Sequence, residues 1–119
     1  MKKRIVIEGC PLRTVMDRFG DKWSILVLQT LGEEEKPMRF NDLGRDIEDI
    51  SQKMLASTLR TLEECGLISR EAFLEIPPRV EYQLTDMGKS LLPLIKNLIE
   101  WSTDHLELIN SACATKNEK

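Results

Sequence analysis

Between Ser51 and Thr61 the chain carries two cations, Lys53 and Arg60, and no carboxylate, although the protein as a whole has a formal net charge of -3. If this stretch is a helix, Leu55, Leu59 and Leu62 fall at i, i+4 and i+7 and anchor one side. Ser51 then stands at the cap, and Gln52, Lys53, Ala56, Ser57 and Arg60 turn outward. That outward side has the chemistry to read base edges in a major groove. Glutamine pairs with adenine, lysine with guanine or phosphate, and alanine permits close approach. Arg79 follows Pro77-Pro78 at the expected tip of a hairpin, where it is placed to enter a minor groove or grip phosphate. Exposed Lys, Gln and Arg on a helix are more often a solvated face. What favours the sharper reading is agreement between the cap, the acid-free segment and the hairpin arginine.

Cys10 is the second candidate. It precedes Pro11 at an expected helix start, where the helix dipole favours thiolate, with Lys2, Lys3, Arg4 and Arg13 near in sequence. That is the setting of a redox switch, to be set against a small, partly buried helix-start residue. Cys65 reads as semi-buried and Cys113 as part of a loose tail. The three cysteines are widely spaced and form no paired motif, so neither a disulfide framework nor a metal site is expected. His105, the one histidine, lies on an apolar helix face and reads as a packed or interface residue. There is no glycine-rich phosphate loop and no cluster suited to catalysis. Neither catalytic residues nor a cofactor is expected, and enzyme chemistry has no foothold apart from Cys10.

These groups need elements to position them. Pro11 suits a first helical position, and Leu12, Val15, Met16 and Phe19 recur at helical spacing until Gly20 ends the run. Lys22 to Leu31 is apolar nearly all round, as a central helix would be. Lys36 to Phe40 reads as extended, with a short helix capped near Asn41 and Leu43 and Ile47 facing inward. Ser51 caps the helix Gln52 to Cys65, closed by Gly66. Leu67 to Ile76 and Arg79 to Leu84 form a hairpin. Thr85-Asp86 caps a long last helix striped by Leu91, Leu94, Ile95, Leu98, Ser102, Leu106 and Ile109, with Leu92, Ile99 and Trp101 beside the stripe. The order helix, turn, helix, hairpin makes the fold class mainly α with a small antiparallel β wing, a winged helix-turn-helix.

The stripe on the last helix is too wide for one neighbour. Leu12, Val15 and Phe19, together with Leu94, Leu98, Trp101, His105, Leu106 and Ile109, are therefore expected to bury themselves in a homodimer interface. A twofold pair would present two reading helices one DNA turn apart, about 34–36 Å.

A chain of 119 residues with 41% hydrophobic and 31% charged residues is expected to form one globular domain, residues 1–110, followed by a polar, disordered tail over 111–119. No internal repeat is visible. No stretch reaches the roughly 18 apolar residues needed to cross a bilayer, and the apolar run after Arg4 is too short for a secretion signal, so a reducing cytoplasm is expected and no membrane partner.

The residues Cys10-Pro11, Asp21-Lys22-Trp23, Phe40-Asn41-Asp42-Leu43, Ile50-Ser51-Gln52-Lys53-Met54-Leu55, Thr58-Leu59-Arg60, Leu62-Glu63, Gly66-Leu67-Ile68 and Val80-Glu81-Tyr82-Gln83-Leu84-Thr85 together resemble the HxlR family of winged-helix transcriptional regulators, itself similar to the MarR group. The resemblance spans Cys10 to about Ile109. It implies a dimer joined through its terminal helices, bound to a pseudo-palindromic double-stranded DNA operator and repressing or activating a neighbouring gene. It also implies an oxidant or small-molecule effector, since some relatives sense oxidants through a cysteine matching Cys10. Two departures stand out. Asp49 occupies a position where similar members have glycine, and Gly44 interrupts the short helix. Glu48-Asp49 suits the positive end of the reading helix but sets carboxylates near phosphates. The alternative reading is a winged helix used for protein-protein contact without specific DNA binding.

Overall fold

A computed structural model describes residues 11–117. Five helices and three short strands follow in the order α1 (Pro11–Phe19), α2 (Lys22–Glu34), β1 (Met38–Arg39), α3 (Phe40–Asp46), α4 (Gln52–Glu64), β2 (Ile68–Phe73), β3 (Arg79–Leu84) and α5 (Asp86–Asn117). The strands make one antiparallel sheet in the order β1-β3-β2. The extended piece expected before α3 is thus the third strand, pairing Met38 with Tyr82 and Arg39 with Glu81.

Helix α2 is the centre. Asp21 caps it, accepting from the Ser24 backbone N–H at 3.2 Å and from the Ser24 hydroxyl at 2.8 Å. That double acceptance also satisfies the buried Ser24 side chain. Val27, Leu28 and Leu31 from α2 meet Leu43 and Ile47, Leu55, Leu59 and Leu62 of α4, and Ile95 of α5 in a single core. Helix α3 begins at Phe40 rather than Asn41, and the Asp42 carboxylate accepts the Arg39 N–H at 3.3 Å. Asp42 therefore does the capping expected of Asn41.

The end of α4 and the start of α5 lock together. Gly66 adopts φ 82, and the Gly66 and Leu67 amides donate back to the Glu63 and Leu62 carbonyls, each at 3.0 Å. This is the closing pattern that favours glycine one residue past a helix, with buried Leu67 packing beside buried Leu62. The Thr85 N–H donates to the Leu67 carbonyl at 3.0 Å, and its hydroxyl donates to Gly66 at 2.6 Å while accepting from Gly88 at 3.1 Å. A Cβ on Gly88 would stand 2.2 Å from the Leu67 oxygen, so only glycine allows this approach.

Helix α5 does not stop near Ser111. It continues through Asn117, where a disordered tail is expected from the polar sequence. Polarity alone does not prevent a helix there, because alanines such as Ala112 and Ala114 are good helix formers.

Candidate nucleic-acid interface

Helix α4 is held by its apolar side. Leu55, Leu59 and Leu62 are at most 1% exposed, and Thr58 is buried beside them. Burying each leucine is worth about 1.5–3 kcal/mol, enough to fix the helix's rotation about its axis. Every other predicted reading residue, Gln52, Lys53, Ala56, Ser57 and Arg60, is exposed, as is the cap Ser51. The Ser51 hydroxyl accepts the Met54 N–H at 3.0 Å. Neither Lys53 nor Arg60 is engaged in an ion pair among the described residues. The positive end of the helix dipole and both cations therefore face solvent on one side of the molecule.

The turn between α3 and α4 explains one departure from the family pattern. Asp49 has φ 68, in the left-handed region. Glycine reaches that region freely, and Asp is among the few other residues that visit it. The position therefore selects for backbone geometry, and its carboxylate comes with it. Arg45, exposed at the end of α3, pairs with Asp42.

On the wing the structure corrects one expectation. Arg79 does not project from the tip. Its guanidinium lies 3.0 Å from the Glu75 carboxylate and 3.2 Å from that of Glu81, and covers the Phe73 ring at 4.1 Å. Its Nε is withdrawn from solvent without an aligned hydrogen bond. The reason is register. Phe73 pairs with Arg79 and Glu71 with Glu81, so Phe73, Glu71, Arg79 and Glu81 share one face. Two carboxylates lie directly opposite one another there, and the arginine relieves the repulsion. The hairpin's uncommitted cation is Arg70, exposed and in no ion pair among the described residues. Sequence reasoning misses Arg70, although the alternation Ile68, Arg70, Ala72 is a signal that could find it. The tip itself presents Leu74 and Ile76, both fully exposed, beside a cis Ile76–Pro77 bond.

Helix α5 has two apolar sides. Leu91, Leu92, Ile95 and Ile99 pack on the core, while Leu94 (63% exposed), Leu98 (56%), Trp101 (52%), Leu106 and Ile109 are bare. Leu108, outside the expected stripe, is also bare at 69%. The His105 ring stacks on Trp101 with centroids 4.4 Å apart, and its Nδ1 donates to the Trp101 carbonyl at 2.8 Å. On α1, Leu12 and Val15 are exposed and Phe19 is half-buried against the core. Cys10 lies outside the described residues. Cys65 is a half-buried free thiol and Cys113 an exposed one on α5. No group of three or more metal-ligating side chains occurs among the described residues, and no helix among them is long and apolar enough to cross a membrane.

This arrangement matches known proteins closely. The family model for HxlR-like helix-turn-helix proteins matches residues 18–110. An HTH-type transcriptional regulator of Methanothermobacter thermautotrophicus is 47% identical over 92 residues, 77% of this chain and 69% of that protein. Among solved structures, a MarR-family transcriptional regulator of Porphyromonas gingivalis W83 superimposes with a TM-score of 0.77 at 37% identity, over 85% of this chain and 97% of the other. The redox regulator HypR in its reduced form also superimposes with a TM-score of 0.77, at 33% identity, over 85% of this chain and 98% of HypR.

Proposed function

The chain belongs to the HxlR-like helix-turn-helix family and is a transcriptional regulator rather than an enzyme, and from that premise we propose that it binds a pseudo-palindromic operator in the cytoplasm as a homodimer. Helix α4 enters the major groove, about 12 Å wide, with Gln52, Lys53 and Arg60 meeting bases and phosphates while Ala56 and Ser57 allow close approach. Ser51 presents the helix N-terminus to phosphate. The observation that carries the reading is the exposed side of α4, free of carboxylates from Ser51 to Thr61 and locked in orientation by buried Leu55, Leu59 and Leu62. Glu63 and Glu64 stand at the far end of the helix. Arg79 supports the wing's shape, and Arg70 supplies its free positive charge.

The dimer forms through the bare stripes of α1 and α5. Leu94, Leu98, Trp101, Leu106 and Ile109 cover their counterparts, with His105 held in place by its stack on Trp101. Cys10 responds to oxidants or electrophiles. Similarity to HypR, a redox regulator, supports this, as does the position of Cys10 just ahead of Pro11, where α1 begins.

Selection of bound genomic fragments by the purified protein tests the proposal. It should return a short inverted repeat. The bare tip residues Leu74 and Ile76 favour a second reading, in which the wing contacts another protein. An absence of fragment enrichment, together with binding that is indifferent to salt, would decide for it.

A further inference from the structure

Resting on the operator reading above, we propose that Met54 sets base preference: in each half-site its thioether chain packs on the 5-methyl group of one thymine. Met54 lies in the first turn of α4 and is 41% exposed. It belongs neither to the buried core nor to the half-buried apolar residues packed against that core. Its backbone N–H donates to the Ser51 hydroxyl at 3.0 Å, which fixes where the side chain starts and leaves its end in solvent. The other exposed residues from Ser51 to Arg60 are Ser51, Gln52, Lys53, Ala56, Ser57 and Arg60, so Met54 is the one large apolar group among them.

Helical spacing places this group. At about 100° per residue, Lys53 and Ser57 run along the middle of the exposed side, opposite Leu55, Leu59 and Leu62. Met54 and Ala56 flank that line on its two edges. Ala56 ends at Cβ, whereas Met54 is long, unbranched and able to adapt its path, so it reaches sideways from the helix without displacing Lys53.

A single bare apolar side chain on a surface is ordinary. Met54 differs by its place, because the N-terminal residues of a reading helix are the ones that reach base edges. On a major-groove floor the thymine 5-methyl is the prominent apolar group, while the other bases present donors and acceptors. Cytosine would set its amino donor against a thioether, which is a weak acceptor. Met54 therefore favours thymine over cytosine at its position. Lys53 is its neighbour in sequence, which puts that thymine beside the contact made by Lys53.

The test uses the operator returned by fragment selection, rebuilt with deoxyuridine in place of one thymidine at a time, in both half-sites together. That substitution deletes the 5-methyl group and keeps every base-pair hydrogen bond. Wild type should lose about fifteenfold in affinity at one symmetric position, since burying a methyl is worth about fourfold in each half-site. At that position Met54→Ala should bind the thymidine and deoxyuridine duplexes within about twofold of one another, as a coupled pair requires, and Met54→Leu should keep the preference. The deoxyuridine series stands on wild type alone, whatever the variants do. Wild type indifferent to deoxyuridine at every position, or Met54→Ala with the full preference intact, would overturn the assignment and leave the operator reading standing. A selection that returns no operator would overturn both.

Discussion

Arg79 Nε lies 3.2 Å from the carboxylate of Glu81, two residues along the same strand and on the same face of the hairpin. The strongest cation at the wing is therefore committed to an internal partner, which changes what its loss should do. The Arg79 side chain is three-quarters buried, covers Phe73 and offsets the facing carboxylates of Glu71 and Glu81, so Arg79→Ala should lower stability by about 1–2 kcal/mol in urea unfolding. It should weaken operator binding modestly, through a looser hairpin, while the salt dependence stays as in wild type. A salt slope reduced by the amount one neutralised phosphate supplies would mean instead that Arg79 leaves Glu81 to grip DNA.

Asp49 separates backbone need from side-chain chemistry. At φ 68, Asp49→Gly should be tolerated or stabilising, and Asp49→Val should cost about 1–2 kcal/mol. Asp49→Gly also removes a carboxylate just ahead of the reading helix, so it should tighten operator binding in gel shifts. Equal stability of the Gly and Val variants would show that the turn does not require the left-handed conformation.

The two apolar sides of α5 make the dimer testable without unfolding the subunit. Leu98→Asp places a charge at an exposed position of α5, next to the buried Ile95 and outside its core packing. It should weaken self-association by about 3 kcal/mol or more, counting one leucine removed from each copy. Sedimentation velocity should show a monomer whose helical circular dichroism is unchanged. A variant that remains a dimer would move the interface elsewhere.

Mild peroxide should abolish or alter operator binding by wild type and not by Cys10→Ser. Alkylation of the native protein, followed by gel shift, reads the same thiol independently. Responses that match between variant and wild type would remove Cys10 from the account and leave half-buried Cys65 and exposed Cys113 to be tested.

Much of this architecture is legible in the sequence because local signals and packing agree. The leucine spacing in α4, the cap at Ser51 and the closing Gly66 all recur in the structure with the roles their chemistry suggests. The failures come where a tertiary neighbour decides the outcome. Arg79 looks free because nothing local shows that strand pairing sets Glu81, Glu71 and Phe73 on its face. Asn41 looks like a cap, but the backbone enters α3 one residue earlier and Asp42 takes that part. The polar end of α5 looks loose because polarity is a weak signal against a helix already running for several turns.

The central claim is that the carboxylate-free side of α4 meets a duplex, and its most direct test is the salt dependence of affinity for the selected operator, compared between wild type and Lys53→Ala. The account predicts a steep fall in affinity with salt for wild type. For Lys53→Ala it predicts binding weaker by about 1 kcal/mol or more, and a log-log slope smaller by about 0.9, the signature of one phosphate no longer neutralised by the protein. Affinity and slope both unchanged in the variant would contradict it.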